Sequence, residues 1–449
     1  MKKNLMHSLC YQRPCSYFIF MSTFFRWYRF LKKSQFFSVE ERERYQTKKV
    51  RELIQHAYRN VPYYHMLFKQ YDLRPGDIKN LSDLRKIPIL TRTIVQKNED
   101  LLKSMNYPTA AFKRTVTGGT TGSPLKFYVE KARWLGIHFA FNKIYMDRAA
   151  YRWSDRVVSF TGCTKKSMYH PFLRTLELSS FHTSKEDFAH YYQQINKFKP
   201  RFITAYPSAI TLFSQYMNQQ SKQLSSPIKA VFLHGETLFD WQRTLLEQTF
   251  DCSVFDQYGH REQCVLAATC KKSNQYHIFP EYGIVEVLDP TSEPLDEIGK
   301  KGEIIATSLH NRIFPFIRYT TGDIGIIGEN NCSCGRSYQL LEKLIGRTQE
   351  FLISKNHDKI PATGLYHVIG EQSHHVKECQ LYQDTEGKII IFIVKDDNFC
   401  IDDEKRLLLG FSKRFDDSFS FQVQYVDEIA RTKQGKYRYV IQKIPIISV

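Results

Sequence analysis

The chain has few cysteines and lacks a long apolar run. Ten cysteines in 449 residues are too few and too unevenly spaced for a secreted scaffold held by disulfides, so a reducing compartment is expected. The 21 glycines and 16 prolines form no repeat and no low-complexity tract, which excludes collagen-like and fully disordered classes. With 42% hydrophobic residues over this length, the chain can bury a large core and divide into more than one domain.

Acidic residues are absent from the start of the chain up to Glu40. The first 60 residues hold 13 Lys or Arg and 4 Glu, which supplies +9 of the formal net charge of +18. Because the rest of the chain is only mildly basic, this distribution argues against nucleic acid as a partner. The aromatic run at residues 17–25 is too short to span a membrane and lacks a signal-peptide cleavage site. Two interpretations stay open: a helix packed on its own domain, or contact with an anionic membrane surface.

Apolar periodicity predicts an α/β protein with a smaller α+β unit at its C-terminus. A helical pattern that includes Val50, Leu53, Ile54 and Ala57 ends at the break before Pro62. Short apolar runs then alternate with helix-length segments, as in α/β layers, at residues 156–160, 201–206, 230–233, 253–255, 283–288 and 303–307. The C-terminal unit has predicted strands at 376–382, 388–394 and 421–426, with a helix at 404–415.

These patterns divide the chain into three parts. We expect a basic aromatic segment at residues 1–37, a large multi-layer domain at 38–346 and a small lid domain at 347–449.

A loop rich in glycine and threonine precedes the α/β region. It consists of Thr117, Gly118, Gly119, Thr120, Thr121 and Gly122. Glycines let a backbone approach a polyphosphate closely, and hydroxyls and turned amides donate hydrogen bonds to phosphate oxygens. The loop lacks the Gly-Lys-Ser/Thr ending of a Walker motif, so it does not indicate a P-loop NTPase.

Three further motifs follow in order. Residues 256–262 read Asp-Gln-Tyr-Gly-His-Arg-Glu, residues 316–323 read Phe-Ile-Arg-Tyr-Thr-Thr-Gly-Asp, and residues 431–438 read Arg-Thr-Lys-Gln-Gly-Lys-Tyr-Arg. Together with Ala-Tyr-Pro-Ser-Ala at 205–209 and His-Gly-Glu-Thr-Leu at 234–238, the set resembles the adenylate-forming superfamily of acyl-CoA synthetases. Within it, the chain is most similar to the phenylacetate-CoA ligase branch and to the CapK-like proteins of capsular polysaccharide clusters. The resemblance runs from about Val50 to the C-terminus.

The resemblance implies an ATP-dependent ligase that converts a carboxylic acid into acyl-AMP, releases pyrophosphate and passes the acyl group to CoA or another acceptor. By this resemblance the loop at residues 117–122 holds the β- and γ-phosphates. Glu262 holds Mg²⁺, a hard cation that prefers oxygen ligands. The remaining ATP contacts implied are Gly235, Glu236, Tyr258, Gly259 and, on the ribose hydroxyls, Asp323.

Besides Glu262, the resemblance implies two catalytic residues in the C-terminal part of the chain, Lys436 and Arg347. Lys436, on a Gly-Lys turn of a mobile lid, would stabilise the charge that develops between acid and α-phosphate. Arg347, at the domain boundary, would contact ribose or phosphate. The boundary reads Gly-Arg-Thr-Gln-Glu at 346–350, where the family usually has Gly-Arg-x-Asp-Asp. This departure puts thioester formation in question, because the lid swings at this hinge in the family.

Four residues form a candidate structural zinc site: Cys270, His277, Cys332 and Cys334. Two thiolates with a thiolate–imidazole pair satisfy tetrahedral zinc, and similar sets occur in the phenylacetate-CoA ligase branch. The alternative is a group of reduced, partly buried cysteines.

The sequence thus predicts a cytoplasmic ligase that uses ATP, Mg²⁺ and a small-molecule acid, with peripheral membrane contact as an open question. Two alternatives remain: an AMP transferase that forms no thioester, and a non-catalytic ATP-binding protein of polysaccharide assembly. Retention of the phosphate loop with Glu262, Asp323 and Lys436 argues against the second.

Overall fold

The computed structural model describes residues 14–116, 125–163, 165–182, 184–329, 331–347, 351–357, 359–361, 375–432 and 437–444. Its helices are α1 (Pro14–Ser34), α2 (Val39–Asn60), α3 (Pro62–Gln70), α4 (Arg92–Lys97), α5 (Lys131–Asp147), α6 (Lys185–Phe198), α7 (Pro207–Gln219), α8 (Asp240–Phe250) and α9 (Ile401–Phe415). Its strands are β1 (Phe112–Val116), β2 (Lys126–Glu130), β3 (Val157–Thr161), β4 (Ser167–His170), β5 (Thr175–Ser179), β6 (Phe202–Ala205), β7 (Ala230–His234), β8 (Ser253–Gly259), β9 (Leu266–Cys270), β10 (Ser273–Ile278), β11 (Gly283–Leu288), β12 (Lys301–Ser308), β13 (Tyr319–Ile327), β14 (Leu340–Arg347), β15 (Phe351–Ile353), β16 (Lys359–Pro361), β17 (Val376–Thr385), β18 (Lys388–Lys395), β19 (Ser420–Tyr425) and β20 (Val440–Gln442).

The predicted α/β class is confirmed, and the described residues form two compact units. The first unit comprises the described residues up to Arg152 with residues 257–321 and 325–344. Its strands run in the order β11-β12-β13-β14-β10-β9-β8, and β1 pairs with β2 as a separate antiparallel hairpin. A core of aliphatic and aromatic side chains from α2, α3 and these strands fills the unit. None of the helices in the described part of the chain combines the length and apolarity needed to cross a membrane.

Helix α2 shows why the local pattern predicted it correctly. Ser38 caps its first turn, since the Ser38 hydroxyl accepts from Glu41 N and the Glu41 carboxylate accepts from Ser38 N. Val50 and Ile54 are fully buried on the predicted face. The helix ends at Asn60, and Pro62 begins α3, where its missing N–H costs no hydrogen bond.

The second unit comprises residues 153–256 and 322–324 with the described residues from Ile345 onward. Strands β3, β5, β6 and β7 are parallel neighbours in the order β7-β6-β3-β5, and β4 closes the edge antiparallel to β5. The predicted C-terminal strands and helix form the four-stranded sheet β19-β18-β17-β20 with α9. Phe239 packs into the core of this sheet, with its ring centroid 5.2 Å from that of Tyr439. The domain boundaries expected at 37/38 and 346/347 stay predictions.

Candidate active site

The predicted phosphate loop, Thr117–Gly122, lies outside the described residues, as does Lys436. The structure describes the two strands that flank the loop, β1 and β2. They pair in antiparallel register, with Val116 opposite Lys126 and Thr115 opposite Phe127. The described strands on either side of the predicted loop therefore run in opposite directions.

Glu236 joins two predicted motifs within the second unit. It follows β7 and Gly235, whose φ of 83° lies in the region that favours glycine. One carboxylate oxygen accepts from Ser208 N at 3.0 Å, and the other accepts from Tyr437 N at 2.7 Å. Ser208 lies in the first turn of α7, where unpaired amides and the helix dipole favour a negative charge. Burial raises the pKa of Glu236, and the two amide donors oppose this shift.

The segment that carries the predicted catalytic lysine is held at both described ends. On one side, Arg431 pairs with Glu378 at 2.6 Å, and both side chains are buried. On the other, the Tyr437 hydroxyl donates to Cys379 O and accepts from Cys379 N. The Arg431 guanidinium lies 4.6 Å from the Tyr437 ring centroid, so the two ends also contact each other. We call Glu378, Cys379, Arg431 and Tyr437 the loop clamp.

Glu262 is a buried carboxylate in the first unit, with 7% of its surface exposed. Tyr319 donates its hydroxyl to Glu262 at 3.5 Å, and His260 Nδ1 lies 3.2 Å from the other carboxylate oxygen. Burial raises the pKa of Tyr319 well above its ordinary value, so the phenol stays protonated and acts as the donor. A single buried carboxylate fits Mg²⁺, which usually binds few protein oxygens and keeps several waters.

The other predicted ATP contacts lie at strand ends or within strands. Tyr258 and Gly259 end β8, with Tyr258 half-buried against the core of the first unit. Gly259 has no room for a side chain without movement, because a Cβ there would lie 3.0 Å from Leu266 Cδ1. Asp323 lies in β13 in the second unit and is 8% exposed. Arg347 is the last residue of β14, and its side chain lies outside the described part of the structure.

The four predicted zinc ligands come together in the first unit. Their ligand atoms all lie within 4.8 Å of one another. Cys270 Sγ is 3.7 Å from Cys332 Sγ, and Cys334 Sγ is 3.3 Å from His277 Nε2. Tetrahedral zinc with bonds of about 2.3 Å to sulfur separates two thiolates by about 3.8 Å, so the donor set and spacing fit this metal. We call these four residues the metal cluster.

The residues that follow the metal cluster hold the connection between α1 and α2. Arg336 donates to the Gln35 side chain from Nε at 3.2 Å and from a terminal nitrogen at 2.8 Å. The Ser337 hydroxyl donates to Phe37 O at 2.6 Å. The metal cluster therefore lies beside the point where the N-terminal helix joins the rest of its unit.

Comparison with known proteins gives the same assignment along most of the chain. Residues 352–443 match the CapK C-terminal domain family. Protein CapK of Staphylococcus aureus is 25% identical over 412 residues, which cover 89% of each chain. A phenylacetate-coenzyme A ligase of Thermus thermophilus is 25% identical over 339 residues, 70% of this chain and 72% of that protein. A structure of 2-hydroxyisobutyryl-CoA ligase, in complex with R3-HIB-AMP in the postadenylation state, superposes with a TM-score of 0.72 at 18% identity and covers 91% of this chain and 90% of that one.

In sequence and in fold, the chain is therefore similar to the adenylate-forming CoA ligases. Its relatives include CapK and phenylacetate-CoA ligases, and these similarities support an enzyme of the AMP-forming acid-CoA ligase type.

The sequence alone assigned no role to one buried residue, Arg318. Arg318, in the motif that ends at Asp323, makes two 3.0 Å hydrogen bonds to the carboxylate of Glu286. It also donates to the carbonyl of Ile87 at 2.7 Å, and its own backbone has a φ of 49°. A charged side chain directly after the apolar run 313–317 was the available signal, because a buried charge needs a partner. Arg318 thus braces the strand that leads to Asp323.

Proposed function

We propose that this enzyme activates a carboxylic acid with ATP and transfers the acyl group to a thiol. In the first step, a carboxylate oxygen of the acid attacks the α-phosphorus of ATP. The bond from this phosphorus to the bridging oxygen breaks, and pyrophosphate leaves with the electron pair. In the second step, the thiolate of CoA attacks the acyl carbon and AMP leaves. The contact between Glu236 and Tyr437 N carries the proposal, because it brings the Gly235–Glu236 motif to the residue next to Lys436.

The residue roles follow from the chemistry of each side chain. Lys436 supplies a positive charge to the acid oxygen and the α-phosphate, and the loop at 117–122 donates hydrogen bonds to the terminal phosphates. Asp323 accepts from the ribose hydroxyls, since an ionised carboxylate is a pure acceptor. Tyr258 stacks on the base, and Arg347 contacts ribose or phosphate. Glu262 would hold Mg²⁺, which neutralises phosphate charge when bound.

The acid belongs to one of two classes. The phenylacetate-CoA ligase relatives favour an aromatic acid, and the CapK relative favours an acyl or amino-acid group destined for a surface polysaccharide. A second candidate function is AMP transfer to an acceptor without a thioester. The sequence Thr-Gln-Glu at 348–350 favours it, because the usual Asp-Asp pair of the hinge is replaced there by an amide and a glutamate.

Acid-dependent exchange of labelled pyrophosphate into ATP tests the first step without knowledge of the acceptor. The wild type is assayed with a panel of aromatic, fatty, amino and sugar acids, and Lys436→Ala is assayed with the same panel. Lys388→Ala, which changes an exposed lysine of the same region, is the matched control. We expect exchange with one acid class, loss in Lys436→Ala and retention in Lys388→Ala. Addition of CoA then separates a ligase, which forms acyl-CoA, from an AMP transferase, which does not. No exchange with any acid, despite bound ATP, would contradict adenylation.

We also propose that the metal cluster binds one structural zinc. Elemental analysis of the purified chain is expected to give about one zinc per chain, and Cys334→Ser is expected to lose it. Cys400→Ser, at an exposed thiol outside the cluster, serves as control and is expected to keep the metal. Wild-type protein without zinc after purification in zinc-containing buffer would overturn this proposal.

We propose the cytoplasm as the site of the reaction, near the inner face of the membrane. The reaction consumes ATP, and the cysteines of the described residues are unpaired, as is usual in a reducing compartment.

A further inference from the structure

One face of helix α1 packs against the rest of the first unit. Phe20, Phe24 and Leu31 are buried on this side. Helix α5 lies so close that a Cβ on Gly136 would approach Phe20 O to 2.8 Å. The Tyr28 hydroxyl donates to an Asp147 carboxylate oxygen at 2.8 Å and fixes the far end of the contact. The position of α1 is therefore set by the fold, independently of any further partner.

The opposite face of α1 remains exposed and carries large aromatic side chains. Phe18 is 74% exposed and Phe25 is 46% exposed, and Tyr17 and Ile19 are also exposed. Phe18 and Phe25 are two helical turns apart, so both point to the same side. Exposed apolar residues that lie together at one end of a helix mark an interaction surface.

The same face becomes basic towards the C-terminal end of the helix. Arg29 and Lys33 continue the line of Phe18 and Phe25 at helical spacing. The exposed basic residues of α1 are Arg26, Arg29, Lys32 and Lys33. Since no acidic residue occurs before Glu40, this face has no negative charge of its own. We call Phe18, Phe25, Arg29 and Lys33 the outer face.

The chemistry of the outer face selects among possible occupants. A second copy packed through the same face would remove the cations of both helices from water without supplying a negative charge for them. Duplex nucleic acid would use the cations, but its stacked bases offer no free face to exposed Phe side chains. An anionic lipid surface uses both, because aromatic rings insert at the headgroup level while Lys and Arg approach the lipid phosphates. Each such cation near the surface strengthens the attraction to an anionic membrane.

We propose that the outer face of α1 binds an anionic membrane surface, with the helix axis along the membrane plane. Helix α1 would then lie between the membrane surface and the rest of the first unit, on which its other face packs. The site is independent of adenylation, since it shares no residue with the ATP contacts. The enzyme would thereby act next to the lipid surface.

Vesicle co-sedimentation of the full chain tests this inference, with phosphatidylcholine vesicles compared with vesicles that also contain phosphatidylglycerol. Truncation of α1 would expose buried core, so substitutions on the outer face are the cleaner change. The aromatic variant is Phe18→Ser with Phe25→Ser, and the charge variant is Arg29→Glu with Lys33→Glu. The controls are Phe172→Ser, an aromatic residue 94% exposed in the second unit, and Lys301→Glu with Lys388→Glu.

We expect binding to anionic vesicles only, weakened at least tenfold in each outer-face variant and unchanged in both controls. High salt is expected to weaken the wild type, as electrostatic attraction requires. Pyrophosphate exchange without vesicles should be equal in the wild type and the outer-face variants, which separates this test from that of the proposed function. Absence of wild-type binding, or equal binding by the outer-face variants, would overturn the inference. So would self-association in lipid-free sedimentation that the aromatic variant abolishes, or nucleic-acid binding that only the charge variant loses.

Discussion

The replacement Glu236→Gln separates stability from catalysis at the predicted active site. Both oxygens of the carboxylate accept a backbone amide, one from Ser208 and one from Tyr437. A glutamine amide has one acceptor oxygen, so its NH₂ group must face the other N–H donor. When the oxygen keeps Ser208, the Tyr437 contact is lost, and a hydrogen bond to a charged group is worth about 1.5–3 kcal/mol.

The free energy of unfolding of Glu236→Gln should change by less than the roughly 1.5–3 kcal/mol of this hydrogen bond. Burial raises the pKa of Glu236, which means that the folded protein holds the charge at a cost that a neutral glutamine avoids. The two effects oppose each other, and we expect the free energy of unfolding to change by about 1 kcal/mol or less. Catalysis has no such compensation, because Tyr437 directly follows Lys436. A loss of 1.5–3 kcal/mol in the placement of the lysine lowers the exchange rate about 10- to 150-fold.

The assay combines pyrophosphate exchange at saturating ATP with urea unfolding. The expected result is a large fall in kcat with a small change in unfolding midpoint, and Glu247→Gln, at a half-exposed carboxylate on α8, should leave both unchanged. If exchange by Glu236→Gln equals that of the wild type, Glu236 does not position the lysine segment. If the free energy of unfolding falls by as much as the activation free energy rises, the residue has only a structural role.

Two further predictions concern buried charge in the first unit. Arg318→Met removes the buried guanidinium from the half-buried Glu286 carboxylate and should lower the free energy of unfolding by about 3 kcal/mol in urea titrations. Arg85→Met removes only an exposed pair and should cost under about 1 kcal/mol, and a similar cost for both would refute the assignment. Burial lowers the pKa of His138 to about 4 and that of His310 to about 3, so stability should fall as pH drops below 6.5. Burial raises the pKa of Glu281 to about 6 and opposes this trend, which leaves a net loss of about 2–3 kcal/mol from pH 7 to pH 5. Urea titrations at the two pH values check the sign, which a more stable protein at pH 5 would contradict.

Local patterns in the sequence were enough to predict most of the regular structure. The runs at 202–205 and 230–234 became neighbouring parallel strands because short apolar segments between helices have few other ways to bury both faces. The metal cluster could also be predicted, since cysteine and histidine in a reducing compartment have recognisable ligand chemistry. The spacing did not reveal the geometry, because strand pairing brings Cys270 to Cys332 across 62 residues of chain.

The contacts between distant residues were beyond sequence reasoning. Tyr437 N reaches Glu236 across 201 residues, and no local signal marks an amide as the donor to a particular carboxylate. The pairing of Arg318 with Glu286 is of the same kind. For α1, the sequence left packing and membrane contact as alternatives. The structure shows that Phe20 and Phe24 pack inward while Phe18 and Phe25 face outward, so the packed helix still offers a surface to a partner.

The hydrogen bonds that Arg336 and Ser337 make to Gln35 and Phe37 have a consequence for how the chain responds to metal supply. A cation bound by the metal cluster would order the segment whose Arg336 and Ser337 hydrogen-bond to the connection between α1 and α2. By thermodynamic linkage, whatever steadies that connection must in turn tighten metal binding. Metal binding and the hydrogen bonds that hold the connection between α1 and α2 would then stabilise each other.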